Sequence, residues 1–400
     1  MSLSADKSFK MKMRDMENAF KYRRIPYPKR SVELIAILAI SCTFFLFMHT
    51  NKLNSRLKEM EVKLQPSEFS ALGLTGNQIN SRESSRRDNI YTLHGTYQYL
   101  KSTGQLYTLN SDHLNNTKKA ELVDVLFFNR LEKVGSQSMS ILLTTLSKQN
   151  DFGPYQNAPL KNAQILMDVD TQRTIVEEIM SEDEPLSYVE HLNWINFTEF
   201  GHPKPIYINL IRHPIDRVIS AYYYIRHPAV FAFYVQNGRK MEPKEYFDTS
   251  FNDCIRQKRK ECIFDSHTKY NGDWRRFAMH FCGNKNICEQ FNSQTATQIA
   301  KRNIETEYAV VGSWEDTNIT LAVLERYIPR FFRGATEVFY SDPQRFHKNA
   351  TPHKHELDPD IEEKLKIQFS FEIELYNFCK QRLYKQYIAI KKEDMMKEYN

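Results

Sequence analysis

Apolar positions divide the last two thirds of the chain into short continuous runs and longer segments with helical spacing. Continuous runs are typical of strands in a parallel sheet, because both faces of such a sheet are covered. They are found at residues 122–128, 206–211 and 308–312. Helical spacing is found at residues 139–148, 172–180, 215–225, 295–303, 317–328 and 359–388. The alternation predicts an α/β fold with three layers and a mainly parallel sheet.

The beginning of the chain predicts a membrane anchor. Residues 1–30 carry nine Lys or Arg and three acidic residues, and the apolar run at 32–48 has no charge after Glu33. A basic flank stays on the cytosolic side of a membrane, so the rest of the chain would face the lumen. The run is at the short end of what a bilayer requires, which favours a Golgi membrane over the plasma membrane. We expect a single-pass type II protein with a cytosolic tail at 1–31 and a signal-anchor transmembrane helix at 32–50.

Three further segments follow the predicted anchor. Residues 51–118 are rich in Ser, Asn, Gln and Arg and predict a flexible lumenal stem. Residues 119–390 are long enough for one domain with a substantial core, and residues 391–400 are expected to form a C-terminal tail. The net charge of residues 1–30 is equal to the formal net charge of the whole chain, which is +6. The net charge therefore does not indicate a nucleic-acid partner, and a lumenal position would exclude one.

A segment at residues 127–138 has the layout of a strand, a short loop and a helix. Unpaired N–H groups at the start of a helix attract anions, and a small glycine, hydroxyls and a lysine ammonium suit a phosphate or phosphosulfate group. The residues that would bind this group are Lys133, Gly135, Ser136, Gln137 and Ser138. A P-loop NTPase shares the layout, but the chain lacks its G-x-x-x-x-G-K-[ST] motif and an acidic residue placed for magnesium.

A second segment, at residues 208–220, repeats this layout. Its strand is followed by Arg212 and by a helix that Pro214 initiates, in which Ser220 can face back toward a ligand. A nucleotide with phosphates at both its 5′ and 3′ positions needs two such sites, here called the phosphate clamps, at one edge of a sheet. We therefore expect the ligand at the carboxyl ends of the strands.

The two segments resemble those of the uronyl and heparan sulfate 2-O-sulfotransferases, most closely of the insect Pipe type. Further stretches that carry the resemblance are residues 191–201, 204–209, 307–316 and 328–333. The resemblance implies a Golgi enzyme that uses 3′-phosphoadenosine 5′-phosphosulfate, with a P-loop nucleotide-kinase-like sheet and often a trimeric assembly. Two positions depart from the family: Glu132 stands where it usually has Pro, and His213 where it has Asp.

The reaction and the resemblance assign roles to these residues. A sugar hydroxyl is a weak nucleophile near neutral pH, so histidine is the usual base, and His191 aligns with the catalytic histidine of the family. Lys133 would bind the 5′-phosphosulfate and stabilise the departing phosphate. Arg212 and Ser220 would bind the 3′-phosphate. No metal is expected, because no His or acidic spacing indicates one.

Arginines are the candidates for contacts with the acceptor. A uronic acid carries a carboxylate, which a planar guanidinium can bind through two hydrogen bonds. Arg130 would lie near the transferring group or this carboxylate, and Arg275 and Arg276 would provide further contacts.

Cysteines and sequons fit a secretory protein. Four clustered cysteines allow three pairings, and the short loops favour Cys254–Cys262 and Cys282–Cys288, which the resemblance also implies. A zinc site is the competing interpretation, but neither pair has C-x-x-C spacing. The predicted glycosylation sites are Asn115, Asn196, Asn318 and Asn349.

The predicted function is transfer of a sulfuryl group to a glycan. The acceptor would be the 2-hydroxyl of a uronic acid in a glycosaminoglycan, or a sugar on matrix glycoproteins. The alternative is a catalytically impaired paralogue that binds glycans or assembles with an active enzyme. Glu132 and His213 motivate this alternative, because both lie at the predicted nucleotide site.

Overall fold

The structure, a computed structural model, describes residues 91–120, 124–155, 166–265, 275–347 and 356–398. Five strands within these residues form one sheet in the order β2-β3-β1-β4-β5, and every neighbouring pair is parallel. The strands are β1 (Val125–Asn129), β2 (Gly153–Tyr155), β3 (Leu186–Glu190), β4 (Ile206–Ile211) and β5 (Tyr308–Ser313). The predicted parallel sheet is confirmed.

Every residue of β1, β3, β4 and β5 is buried. Successive side chains of a strand point to opposite faces, so burial of all of them means that both faces of the sheet are covered. This is the layered α/β arrangement that the sequence predicts. From β1 the chain forms β2 and then β3 on one side of β1, and it then crosses to form β4 and β5 on the other side. Strand β1 therefore lies where the strand order reverses, a place where ligands bind in such sheets.

Helices connect these strands and complete the layers. Those before β4 are α1 (Leu93–Ser102), α2 (Gln105–Thr108), α3 (Ser136–Asn150) and α4 (Val169–Met180). Those between β4 and β5 are α5 (Pro214–Tyr224), α6 (Pro228–Gln236), α7 (Lys244–Asp248), α8 (Phe251–Arg256), α9 (Met279–Cys282) and α10 (Gln294–Thr306). Those after β5 are α11 (Thr317–Tyr327), α12 (Pro329–Phe332), α13 (Ala335–Ser341), α14 (Pro343–His347), α15 (Pro359–Gln368) and α16 (Ser370–Glu398).

The pattern of apolar residues does not predict two of the strands, β2 and β3, or the break in one helix. Ser187 and Glu190 interrupt the apolar run of β3, and β2 has only three residues. The single helix predicted at 359–388 is instead two helices that break at Phe369, whose buried ring packs 4.9 Å from that of Phe291. Asn292 caps the second helix, because its Oδ1 accepts from the backbone N–H of Phe371 at 2.8 Å.

The folded part begins earlier and ends later than the sequence suggests. Helix α1, which lies in the predicted stem, buries Tyr97 and Leu100 against Ile388 of α16. Ser111 donates from its backbone N–H and its hydroxyl to Glu393 at 2.8 and 2.7 Å. Apolar burial and this carboxylate therefore join the described end of the stem to the last helix, which continues to Glu398 in place of a tail.

The predicted membrane anchor at 32–50 lies outside the described residues. Within the residues that are described, no helix combines the length and apolar character that crossing a bilayer requires. Both predicted disulfides are present in the structure, Cys254–Cys262 and Cys282–Cys288.

Candidate active site

A buried amide organises the centre of the site. Asn129, the last residue of β1, is fully buried. Its Oδ1 accepts from Tyr308 Oη at 2.9 Å and from Asn209 Nδ2 at 3.2 Å, which joins β1 to β5 and β4. Its Nδ2 donates to the carbonyl of His280 at 3.0 Å, which joins β1 to α9. The strand end from which the first predicted phosphate loop departs is therefore fixed on three sides.

The loop between β1 and α3 has a tight backbone. Lys133 and Gly135 both have positive φ, 61° and 88°. A Cβ on Gly135 would lie 2.6 Å from Trp314 Cγ, so glycine is required both by φ and by the close approach of the indole. The curl brings the loop to the N-terminus of α3, where unpaired N–H groups favour an anion.

Serine hydroxyls at the start of α3 are engaged with the backbone. Ser136 Oγ donates to the carbonyl of Leu131 at 2.6 Å, and Ser138 Oγ donates to the carbonyl of Phe346. An anion at this helix end would therefore be bound mainly by N–H groups and by Lys133. The Lys133 ammonium lies 3.8 Å from the centre of the Tyr224 ring, a cation–π contact that gives the side chain a defined position.

The second predicted loop lies beside the first. The Arg212 Nη1 donates to the carbonyl of Lys133 at 3.3 Å, so the two clamp cations belong to adjacent backbone segments. His213, one of the two departures from the family, donates its backbone N–H to Glu315 at 3.1 Å and packs its ring against Tyr376. Ser220 is buried in α5. The structure thus brings both predicted clamps to the same edge of the sheet.

His191 follows β3 and lies against the first loop. Its Nδ1 is 3.0 Å from the carbonyl of Arg130 and 3.7 Å from Glu132 Oε1. About a quarter of its side chain, 26%, is exposed. A histidine that is partly exposed and held next to the loop predicted to bind phosphosulfate is well placed to take a proton from a bound acceptor.

Glu132 turns its carboxylate toward a cluster of cations and histidines. Its Oε2 is 3.2 Å from Arg217 Nη2 and 3.7 Å from His280 Nε2. Arg217 also donates its Nε to the Glu132 carbonyl at 3.0 Å, and it is completely buried. The negative charge beside the predicted anion site is therefore balanced by a guanidinium.

The pKa values of this cluster follow from burial and charge. Burial lowers the pKa of His191, and Glu132 is the largest opposing influence. Burial alone would raise the pKa of Glu132, but the nearby His280, His191 and Arg217 lower it to about 2. Burial lowers the pKa of His280 to about 4, so this histidine is neutral at neutral pH. The carboxylate remains ionised and the two histidines remain available as neutral groups.

The three predicted acceptor arginines have different surroundings. Arg130 lies along the start of α3, where its Nη1 donates to Gln137 at 3.1 Å and to Ser140 at 3.2 Å. Its Nε is buried and has no hydrogen-bond partner within the part of the chain that the structure describes. A buried donor without a partner has a cost in stability.

Arg275 and Arg276 do not fit the prediction of acceptor contacts. Their exposed fractions are only 5% and 2%. Arg275 donates to the carbonyl of Ile263 at 2.8 Å and lies near the Phe291 ring. A polymeric acceptor binds side chains at the protein surface, and these two buried guanidinium groups are not accessible to it. They contribute instead to the packing of the residues around them.

Predicted glycosylation sites differ in exposure. Asn318 is exposed near the start of α11. Asn115 and Asn196 are half-buried, and each accepts a hydrogen bond from the threonine hydroxyl of its own sequon. Asn349 lies outside the described residues. The use of these sites stays a prediction.

Two residues of the site were not predicted from the sequence. Arg217 lies within the second clamp segment, one helical turn after Pro214, but a charged residue on a helix is usually exposed. His280 stands in an apolar stretch with no motif around it. Their common partner, Glu132, could be recognised in the sequence only as a departure from the family.

Known proteins of one family are similar to this chain. Residues 121–379 match the family described as the sulfotransferase family. The protein named uronyl 2-sulfotransferase homolog pip, from Drosophila melanogaster, is 44% identical over 490 aligned positions, which cover 98% of this chain and 95% of that protein. Heparan sulfate 2-O-sulfotransferase 1 from Homo sapiens is 29% identical, with 70% and 74% covered. Uronyl 2-sulfotransferase from Homo sapiens is 25% identical, with 64% and 62% covered.

The His280 cluster predicts a loss of stability in acid. The unfolded chain takes up a proton on this histidine near its ordinary pKa of 6.5, whereas the folded chain does so only near 4. Stability is therefore fully present above pH 6.5 and falls as the pH decreases toward 4. The contribution is on the order of 3 kcal/mol, since one pKa unit corresponds to about 1.4 kcal/mol.

Thermal unfolding at a series of pH values tests this prediction. A His280→Asn variant should lose less stability between neutral pH and pH 4 than the unmodified chain. The exposed His113 provides the control, because a His113→Asn variant should keep the pH dependence of the unmodified chain. Parallel curves for the His280 variant and the unmodified chain would contradict the assignment.

Proposed function

The chain belongs to the sulfotransferase family and is related to the uronyl and heparan sulfate 2-O-sulfotransferases. We propose, on this premise, that it transfers a sulfuryl group from 3′-phosphoadenosine 5′-phosphosulfate to a hydroxyl of a uronic acid. The observation that carries the proposal is the position of His191. Its ring lies 3.0 Å from the backbone of the loop that leads to the N-terminus of α3. A base and an anion site thus share one edge of the sheet.

The donor nucleotide would be bound by both loops. The N-terminus of α3 and the Lys133 ammonium suit the 5′-phosphosulfate, where negative charge grows on the leaving phosphate. Arg212 and Ser220 suit the 3′-phosphate. The hydrogen bond from Arg212 to the Lys133 carbonyl supports this division, because it keeps the two sites close together.

The transfer needs a base and cations in fixed positions. His191 would take the proton of the acceptor hydroxyl as the oxygen–sulfur bond forms and the bond from sulfur to the phosphate oxygen breaks. The electron pair of the broken bond goes to the phosphate, whose charge Lys133 stabilises. The lowered pKa of His191 supports this role, because a neutral imidazole is required before the proton moves.

The acceptor class is inferred from the relatives and from Arg130. Relatives of this chain carry names that refer to uronyl and heparan sulfate sulfation. The backbone carbonyl of Arg130 contacts the ring of His191, so Arg130 lies next to the proposed base, where a guanidinium suits an acceptor carboxylate or the sulfuryl oxygens. A sugar of a matrix glycoprotein is the other acceptor that the resemblance allows.

The cellular setting is part of the proposal. The basic first 30 residues and the apolar run that follows support a Golgi membrane protein of type II, with its catalytic domain in the lumen. The resemblance to the family supports a homo-oligomer, a trimer in many members. The two disulfides fit an oxidising compartment.

Removal of either clamp cation should weaken nucleotide binding. Lys133→Ala and Arg212→Ala each remove a charge-assisted contact of about 1.5–3 kcal/mol, so the Kd of the 3′,5′-bisphosphate product should rise roughly 10- to 100-fold. Isothermal calorimetry on the full chain measures this. Lys148→Ala provides the control, because Lys148 is exposed at the other end of α3. Unchanged affinity in both clamp variants would refute the assignment.

Loss of the base should stop transfer and leave nucleotide binding intact. A His191→Ala variant removes the group that accepts the proton, so the rate of sulfate transfer should fall by about 10²- to 10⁴-fold. The Kd of the bisphosphate product should stay within about twofold, because the histidine acts on the acceptor. A His191→Ala variant that turns over at the rate of the unmodified chain would place the base elsewhere.

The acceptor assignment is tested with a panel of glycans and radiolabelled donor. Transfer to heparan, dermatan or chondroitin chains should require the uronate carboxylate, so carboxyl-reduced chains should be poor acceptors. Arg130→Lys keeps the charge but loses the planar fork, and should lower transfer to uronate acceptors at least about tenfold. Arg302→Lys, at an exposed position of α10, is the matched control.

The results of this panel distinguish three functions: sulfation of a uronic acid, sulfation of a glycoprotein sugar, and glycan binding by a catalytically impaired paralogue. Full activity on carboxyl-reduced chains would exclude uronate recognition and favour a glycoprotein sugar. No transfer to any glycan, together with intact nucleotide or glycan binding, would favour the impaired paralogue. Glu132→Pro and His213→Asp variants would then show whether those two positions suppress activity.

A further inference from the structure

We propose that Glu132 is a positioning residue for His191, holding the imidazole with its Nε2 free and stabilising the imidazolium that forms when the acceptor loses its proton. The inference rests on the function proposed above and goes beyond it. In the family that this chain resembles, the position is usually Pro, which has no group that could do this. The carboxylate would therefore be a feature of this chain's own site.

The tautomer of His191 follows from its hydrogen bond. Nδ1 lies 3.0 Å from the carbonyl oxygen of Arg130, and a carbonyl oxygen can only accept. The hydrogen must then be on Nδ1, which leaves the lone pair on Nε2. The ring is oriented by the backbone of the phosphate loop itself. A base with this tautomer can accept a proton at Nε2 without any rearrangement.

Glu132 lies on the side of the ring that carries this hydrogen. Its Oε1 is 3.7 Å from His191 Nδ1, which is too long for a hydrogen bond but close enough for a strong attraction between charges in a partly buried site. The interaction is weak while the imidazole is neutral and strong once it is protonated. Glu132 therefore stabilises the state that follows proton transfer more than the state before it.

The carboxylate cannot easily turn away, because one buried guanidinium binds both the backbone carbonyl of Glu132 and one of its carboxylate oxygens. Arg217 Nε donates to the Glu132 carbonyl at 3.0 Å, and Arg217 Nη2 donates to Oε2 at 3.2 Å. Oε1, the oxygen near His191, is left to face the imidazole. A side chain bound at its backbone and at one oxygen keeps a narrow range of orientations, which is what positioning requires.

Other charged groups around His191 do not replace Glu132. Arg130, in the same loop, carries a positive charge that opposes protonation. Glu190, at the end of β3, favours protonation less than Glu132 does, and its Oε1 is already bound to the His191 backbone N–H at 2.6 Å. His280, from α9, is neutral at neutral pH because burial lowers its pKa to about 4. Removal of Glu132 should therefore lower the pKa of His191.

The proton transfer is balanced within the proposed reaction. The acceptor O–H bond breaks and its proton binds His191 Nε2, while the new oxygen–sulfur bond forms and the phosphate leaves with the electron pair. Glu132 exchanges no proton, since its own pKa is held at about 2. No further reactant is needed.

The test compares pH–rate profiles of the full chain and two variants, measured from about pH 5 to about pH 9 as kcat/KM for sulfate transfer. Glu132→Gln keeps the shape and removes the charge. Its acidic limb should move to lower pH, because the imidazolium has lost its stabilising partner, and its plateau rate should fall about tenfold or more, because a weaker base is a poorer catalyst. Glu132→Asp keeps a carboxylate one methylene further back and should recover part of both effects.

Nucleotide affinity separates this role from a structural one. The Kd of the 3′,5′-bisphosphate product should not rise more than about twofold in either variant, because neither variant loses a group that binds the anion and Glu132→Gln removes a negative charge beside it; a collapse of the loop would instead weaken binding. If Glu132→Gln does not fold, the Asp variant alone decides, and a profile identical to that of the unmodified chain would overturn the inference. An unshifted acidic limb in a folded Glu132→Gln variant, or a rise in its rate, would do the same. Failure of the unmodified chain on every glycan would instead refute the proposed function.

Discussion

The buried amide of Asn129 is the constraint on which the rest of the site depends. It stands at the end of the central strand, where three polar partners converge from β4, β5 and α9. Each of these groups would cost about 1–3 kcal/mol if it were left unsatisfied away from water. Because one side chain satisfies all of them, the strand end cannot shift without breaking several bonds at once. The phosphate loop departs from a rigid point.

The loop that leaves this point is stabilised by an ion pair between a buried guanidinium and a partly buried carboxylate. Arg217 is completely buried, and a buried guanidinium is tolerated only when it is paired. The carboxylate of Glu132 forms the ion pair, and the backbone carbonyl of Glu132 accepts a further hydrogen bond from Arg217 Nε. This resolves the conflict between an acidic residue and an anion site, since the negative charge is directed toward a cation and two histidines. The same contact connects the stability of α5 to the conformation of the loop after β1.

Only one of the three arginines that the sequence predicts for acceptor binding remains a candidate in the structure. Arg130 retains a buried donor without a partner in the described residues, while Arg275 and Arg276 are packed inside. Specificity for an anionic sugar would therefore depend on one oriented guanidinium, held at Nη1 by Gln137 and Ser140. A planar group that is fixed in this way loses little rotamer freedom on binding, which favours discrimination between carboxylates and neutral sugars.

The sequence by itself determined those elements of the protein that depend on residues close together in the chain. Continuous apolar runs predicted β1, β4 and β5, because a strand covered on both faces needs apolar side chains at every position. The loop lengths between cysteines were short enough to favour both disulfides, and the strand–loop–helix layout predicted the two loops that follow β1 and β4. Strand β3 could not be predicted in this way, because Ser187 and Glu190 break its apolar pattern although tertiary packing buries them.

Only the tertiary structure decided which distant charges meet. Glu132 and Arg217 are separated by 85 positions, and nothing local distinguishes a buried arginine from an exposed one. Burial of Arg275 and Arg276, and the approach of His280 to Glu132, depend in the same way on what packs around them. Propensity and periodicity act over a few residues, whereas solvation and the pKa of a side chain are set by all the atoms that surround it in three dimensions. The chemistry that each charged residue can perform was therefore decided by the fold.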